Sequence, residues 1–155
     1  MDKWDLCNFK VDEEELKGRV CYGGLDLSST TAITAFVLIF PPLDEDDKFQ
    51  IIPYFWLPED NLDLRVKRDH INYDLWKKQG YLQTTEENVV HYGFIEKFIE
   101  DLGEKYSIRE IAFDCWGAVQ MVQNLEGIGF TVVPFGQGFK DMSPPTKELR
   151  EEILF

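Results

Sequence analysis

The stretch that decides the fold is YGGLDLSS, residues 22–29, in which an apolar, strand-like run ends at Asp26 beside small and hydroxyl-bearing residues. A second run of the same kind, IAFDCWG at residues 111–117, leads into Asp114. A carboxylate is unfavourable within a strand and costly to bury alone. Two carboxylates at strand ends therefore predict neighbouring strands that present oxygen ligands to one hard divalent cation.

The composition describes one folded domain. A chain of 155 residues with 44% apolar and 14% aromatic residues is long and apolar enough for a hydrophobic core. The longest apolar run, residues 32–40, is too short to span a bilayer, and residues 1–5 have no signal-peptide pattern, so we expect no membrane contact. Cys7, Cys21 and Cys115 fit neither a zinc spacing nor a disulfide framework, which predicts a reducing compartment.

The net charge of −13, from 16 basic and 29 acidic residues, argues against strong autonomous binding to nucleic acid. It does not exclude a nuclease, because bound metal ions offset local negative charge. Much of the acid lies in two runs, residues 12–15 and 44–47, which we interpret as a solvated face and a loop.

The chain divides into a lead-in or linker at residues 1–18 and one domain at residues 19–155. Three strands joined by short connections predict an antiparallel meander, and helices and strands then alternate. The predicted elements are strands at about 19–27, 32–40 and 49–57, a helix at 62–76 stopped by Gly80, a short extended piece at 81–84, a helix at 90–102, a strand at 108–114, a helix at 118–125, a strand at 130–135, and a last helix opened by Ser143 and Pro144.

This order predicts an α/β protein with a ribonuclease H-like fold. Its sheet has five strands, a three-strand antiparallel meander plus two parallel strands, and helices flank it. In that fold the first and fourth strands are neighbours at the centre, and here they end at Asp26 and Asp114. The last helix reaches Phe155 without a capping signal, so we expect the domain to be truncated at its C-terminus.

Four motifs together resemble one family. GLDLSS at 24–29, FDCWGA at 113–118, FGQG at 135–138 and SPPTKEL at 143–149 resemble the C-terminal nuclease domain of the large terminase subunit of tailed bacteriophages and prophages. The resemblance implies a metal-dependent DNA endonuclease that cuts concatemeric viral DNA during genome packaging.

The resemblance also assigns residues and partners. Asp26 and Asp114 match the first two metal-binding, catalytic acids of the family, with two Mg²⁺ or Mn²⁺ ions in the intact site. The third catalytic acid of the family lies beyond Phe155 and is not in this chain, so we expect the 155 residues alone to be inactive or weakly active. The implied partners are double-stranded viral DNA, an ATPase domain of the same protein, the small terminase subunit and the capsid portal, in the host bacterial cytoplasm.

Further candidate contacts surround the two acids. Ser28 and Ser29 are candidates to orient a phosphate or a metal-bound water, although such runs usually form hairpin turns. Gln137 and Lys140 follow the fifth strand, where a DNA backbone would pass. The sequence places His70 and His91 in helical stretches without a paired ligand, so neither is a metal candidate.

Alternatives remain at this point. Asp26 alone fits a turn carboxylate that accepts from nearby amides, and Asp114 alone fits a cap of the following helix. An actin-like or sugar-kinase-type phosphate-binding module has a similar meander and an Asp- and Ser/Thr-rich hairpin, and ATP calorimetry would detect it. A non-catalytic packaging interaction domain is the other alternative.

Overall fold

In a computed structural model, which describes residues 2–27, 32–60, 62–86, 92–114 and 118–154, the chain forms one mixed sheet flanked by helices. The strands are β1 (Val20–Asp26), β2 (Thr34–Phe40), β3 (Gln50–Pro58), β4 (Gln83–Thr85), β5 (Ser107–Phe113) and β6 (Val132–Pro134). The helices are α1 (Asp2–Asp5), α2 (Leu62–Asp69), α3 (Tyr73–Lys78), α4 (Tyr92–Lys105), α5 (Val119–Ile128) and α6 (Phe139–Leu154). The strand order is β4-β3-β2-β1-β5-β6.

The predicted meander is present. β1 pairs antiparallel with β2, and β2 pairs antiparallel with β3. In β2 every second side chain from Thr34 to Phe40 is buried and the residues between are half-buried. This two-residue period and the β-branched and aromatic composition are what a strand packed on one face requires.

β1, β5 and β6 form the parallel part of the sheet. Leu25 pairs with Phe113, and Phe113 pairs with Pro134. Because the three strands run in the same direction, their carboxyl ends meet at one edge of the sheet. The predicted adjacency of the strands that end at Asp26 and Asp114 is therefore confirmed.

The predicted strand count of five is wrong, because the described residues form six strands. The expected extended piece at 81–84 becomes β4, Gln83–Thr85, which pairs parallel with the end of β3. Its Thr85 is buried, so the three-residue strand is held by contacts as well as by its ladder. A run this short carries too little periodicity for its pairing to be predicted.

The main core lies around the centre of the sheet. α4 contributes Ile95, Ile99 and Leu102, which recur at helical spacing and are buried. Each such side chain stabilises the fold by about 1.5–3 kcal/mol when fully buried. The other buried members are Leu16, Cys21, Leu25, Phe36, Leu38, Phe40, Ile52, Trp56, Tyr106, Ile111, Phe113, Met121 and Leu125.

The predicted lead-in contains ordered contacts. Residues 2–5 form α1, and Leu16 is fully buried in the main core. Glu13 and Gly18 contact Lys105 at the end of α4, through a 3.2 Å ion pair and a 2.9 Å backbone hydrogen bond. None of the described helices has the length and apolar character needed to cross a membrane.

The single helix predicted at 62–76 is wrong, since two helices, α2 and α3, occupy this region. Between them His70 adopts a left-handed conformation with φ of 55°, so it does not lie in a helix as predicted. Asp69 bridges the break, because its carboxylate accepts from Arg68 at 2.6 Å and from the Tyr73 hydroxyl at 3.1 Å. Apolar residues continue at helical spacing across residues 62–76, so the sequence pattern gave no sign of the break between α2 and α3.

The predicted start of the last helix is also wrong. α6 begins at Phe139, and Pro144 and Pro145 lie inside it. The amides of Asp141 and Met142 both donate to the Gly138 carbonyl, so the first turn closes before the prolines are reached. The helix continues through Leu149 and Ile153 as predicted.

Candidate active site

The carboxyl edge of the parallel strands brings the two predicted acids together. Leu25 and Phe113 are paired, and Asp26 and Asp114 are the next residue of each strand path. Neighbouring strands lie about 4.7–4.9 Å apart, so two main-chain positions of this kind are close enough for both side chains to reach one cation. The separation of the two carboxylates stays a prediction.

Asp26 is exposed and belongs to the ladder. It is the last residue of β1 and pairs with Ala35 of β2, so its backbone is fixed by the sheet. Its Oδ1 accepts a 3.0 Å hydrogen bond from Nε2 of Gln137. The carboxylate is therefore held in part by a residue 111 positions away.

Asp114 is half-buried and follows β5 directly. It is not the cap of the following helix, because the N-cap of α5 is Ala118 and makes no side-chain capping bond. The end of β5 is tied down by the amide of Phe135, which donates to the Phe113 carbonyl at 3.0 Å. Asp114 therefore does not occupy the N-cap position of α5.

The remaining candidates fall in three groups. Gln137 lies at the site through its contact with Asp26, and it was predicted only as a DNA contact. Lys140 is exposed in the first turn of α6. Ser28 and Ser29 lie outside the described residues. So does His91, which was predicted to lie in a helix and not to bind metal.

Sequence reasoning missed two contacts around the β6–α6 connection. One is the Gln137–Asp26 hydrogen bond. The other involves Gly136, where a Cβ would lie 2.6 Å from Oδ2 of Asp141, so that carboxylate rests directly against the glycine. The FGQG motif marked this segment, but no periodicity could show what its side chains touch.

Few side chains at this site could bind a metal ion. The described part of the chain holds no group of three or more His, Cys, Asp or Glu side chains arranged for a metal ion. Two carboxylates at one strand edge still suit a hard cation, because Mg²⁺ is commonly held by one or two carboxylates and keeps several waters. Soft-metal chemistry is not favoured, since the described cysteines are Cys7, exposed near the N-terminus, and Cys21, where burial raises the pKa of the thiol to about 11.

Comparison with known proteins assigns the class. Residues 1–154 match the model of the family described as "Terminase large subunit, endonuclease domain". The chain belongs to this family.

Individual relatives agree with the assignment. The chain is 34% identical over 153 residues to the "Terminase, large subunit" of Enterobacteria phage HK97, covering 97% of this chain and 29% of that protein. It is 24% identical over 158 residues to "Protein YmfN" of Escherichia coli K12, covering 97% of this chain and 34% of that protein. The crystal structure of the HK97 bacteriophage large terminase superposes with a TM-score of 0.80 at 34% identity, over 99% of this chain and 31% of that chain. The chain thus spans about a third of the length of these relatives.

Proposed function

We propose that the chain is the DNA-cutting part of a phage or prophage terminase large subunit and that it hydrolyses phosphodiester bonds with divalent cations. The observation that carries this is the placement of Asp26 and Asp114 one residue beyond the paired Leu25 and Phe113. Family membership supports the nuclease class, and the two acids supply the chemistry. The substrate we propose is concatemeric double-stranded viral DNA, cut during packaging in the host cytoplasm.

We also propose that the fold is ribonuclease H-like. The order β3-β2-β1-β5-β6 supports this, since it is a meander extended by two parallel strands, with the acids on the adjacent central pair. β4 is then an addition at the far edge.

The role of each acid follows from its position. Asp26 ends β1, which is a central strand of the sheet. The end of this strand would face both positions where cations would bind, so we assign Asp26 as the bridging ligand. Asp114 would hold one position from the side. Bound Mg²⁺ or Mn²⁺ supplies an activated water and stabilises charge on the leaving oxygen. Asp26 and Asp114 would hold those ions at the strand edge.

The partners of the proposed activity lie outside these residues. The chain covers about a third of its relatives, which supports a longer subunit. The resemblance of its motifs is the basis on which we propose that it is the C-terminal portion, next to an ATPase domain. A third acid would complete the proposed metal site. The small terminase subunit and the capsid portal are the proposed protein partners. The net charge of −13 agrees with DNA being held mainly by other surfaces.

Cleavage of supercoiled plasmid tests the proposal. The protein expressed from its complete gene should nick plasmid in Mn²⁺ and stop on chelation, while the 155 residues alone should cut little or not at all. Cutting by the complete protein that is insensitive to chelation would overturn the metal-dependent mechanism. Tight ATP binding by the 155 residues, measured by calorimetry, would instead support a phosphate-binding module.

A further inference from the structure

The hydrogen bond between Gln137 and Asp26 spans more of the sheet than a contact between neighbours. Asp26 ends β1, whereas Gln137 follows β6, and β5 lies between these two strands. Two strand spacings separate β1 from β6, about 9–10 Å. The segment that carries Gln137, with its side chain, therefore spans the distance across the end of β5, the strand that leads into Asp114.

The backbone around Gln137 is anchored on both sides. On one side the Phe135 amide donates to the Phe113 carbonyl of β5 at 3.0 Å. On the other side the Gly138 carbonyl accepts from the amides of Asp141 and Met142 at 3.2 and 3.0 Å, which closes the first turn of α6. Gln137 is thus held between a strand ladder and a helix start, so its reach toward Asp26 is defined by the fold.

The amide suits a supporting role better than a ligand role. Its N–H donates to one carboxylate oxygen of Asp26, and a carboxylate has about four acceptor positions, so Oδ2 and a further lone pair remain for a cation. The side chain is neutral and adds nothing to the negative charge at the site. Hydrogen-bond partners of this kind orient metal ligands, and losing one typically weakens metal binding 10- to 100-fold.

We propose that Gln137 is a positioning residue that orients the Asp26 carboxylate for divalent-cation binding. This rests on the proposed metal-dependent function, and it adds a specific role for the β6–α6 connection. If the Gln137–Asp26 bond only fastened the β6–α6 connection to the sheet, its loss would lower stability and leave cation binding unchanged. The two roles therefore differ in a measurable way.

The test is a Mn²⁺ titration of the ¹⁵N-labelled 155-residue chain, read by paramagnetic broadening of individual amide signals. Gln137→Leu removes the donor at similar size, and Gln123→Leu makes the same change at an exposed site on α5. In the unaltered chain and in Gln123→Leu, signals next to Asp26 and Asp114 should broaden first at the same Mn²⁺ concentration. In Gln137→Leu this broadening should need at least tenfold more Mn²⁺. Broadening at Asp44–Asp47, an acidic loop remote in sequence, should not change.

A second variant guards against misfolding of the first. Gln137→Asn keeps the amide and shortens its reach by one methylene, so it should give the same direction of loss with the polarity of the loop preserved. Thermal melts without metal, for Asp26→Ala, Gln137→Leu and the double variant, should show non-additive shifts if the two side chains interact.

The outcomes separate the two proposals. The first outcome is that amide signals near Asp26 and Asp114 broaden in the unaltered chain and broaden at the same Mn²⁺ concentration in both Gln137 variants. The positioning role is then overturned and the nuclease proposal stands. If Gln137→Leu lowers the melting temperature without altering the titration, Gln137 is a tether and the inference fails. If the unaltered chain shows no broadening at the two acids, the proposed metal site fails and the inference fails with it.

Discussion

Carboxylates in two regions of this molecule are held in opposite ways. In the acidic loop, residues 43–48, Asp44 accepts from the amides of Asp46 and Asp47 at 3.0 and 2.9 Å, and Asp47 accepts from the Leu43 amide at 2.9 Å. All of these bonds join residues at most four positions apart. At the strand edge, Asp26 accepts from Gln137, which is 111 positions away. Acids bound by their own sequence neighbours build a turn, while an acid bound across the sheet is placed by the tertiary fold.

The local bonds of the acidic loop also have an electrostatic consequence. Hydrogen bonds from the amides of Leu43 and Lys48 lower the pKa of Asp47 below its ordinary value of 3.8, and the nearby Arg19 guanidinium adds to this. Arg19 lies 3.6 Å from Asp47 and donates to the Pro41 carbonyl at 2.7 Å. The carboxylates of Asp44 and Asp47 thus stabilise the loop itself.

The largest expected effect is that of Asp26→Asn in the complete protein. The change keeps the shape and removes the proposed bridging charge, so both cation positions should weaken together. Plasmid cutting in Mn²⁺ should fall by more than the 10- to 100-fold typical of losing an outer partner. A melt without metal should show an intact fold, equal to or slightly more stable than the parent, because two carboxylates that share a cation site repel each other when no cation is bound. Normal plasmid cutting by the Asp26→Asn protein would show that Asp26 is a turn residue, as the carboxylates of the acidic loop are.

Asp114→Asn should have the next largest effect on cutting, smaller than that of Asp26→Asn. Asp114 is assigned to one cation position only, so raised Mn²⁺ should restore part of the activity. The Mn²⁺ dependence of plasmid cutting, compared between the two variants, checks this order. An Asp114→Asn loss that exceeds the Asp26→Asn loss at every Mn²⁺ concentration would reverse the assigned roles.

Gly23→Ala should disturb the strand that carries Asp26. A Cβ at Gly23 would lie 2.9 Å from two ring atoms of Phe36, which is fully buried in the main core, so the ring or the strand would have to shift. Such overpacking typically costs about 1–3 kcal/mol in the free energy of unfolding. Gly24→Ala is the matched control, because nothing lies within 4 Å of its Cβ position, and it should be neutral or stabilising by up to about 1 kcal/mol. Equal denaturant midpoints for the two variants would contradict the packing at β1.

The smallest effect is expected for Asp47→Asn in the acidic loop. The folded-state pKa of Asp47 lies below its unfolded value, so its stabilising contribution is present above pH 3.8 and is lost as the pH falls through the lower folded-state pKa. The melting temperature of Asp47→Asn should therefore be slightly below that of the parent at pH 7, and the difference should shrink below about pH 4. Mn²⁺-dependent cutting should be unchanged, and a loss of cutting would connect the loop to the site.

Long periodic elements were predictable from the sequence. The meander, the apolar stripe of α4 and the strand β5 each extend over seven or more residues, and the structure places all three close to where the pattern predicts them. Within β5 only Ile111 and Phe113 are buried. Elements set by contacts were not predictable. β4 is three residues long, α2 and α3 divide at His70, and α6 starts before its prolines because Gly138 closes the first turn.

The candidate site divides in the same way. A carboxylate at the end of an apolar strand is a local pattern, so Asp26 and Asp114 could be identified from the sequence, and strand order predicted that they would be neighbours. The contact of Gln137 with Asp26 joins residues on either side of a third strand, and local pattern carries no information about such a pairing. The sequence by itself determined which side chains we propose as metal ligands, because residue type and strand period are local properties. Only the tertiary structure decided what holds Asp26, because β1, β5 and β6 must assemble side by side before Gln137, which follows β6, can contact the end of β1.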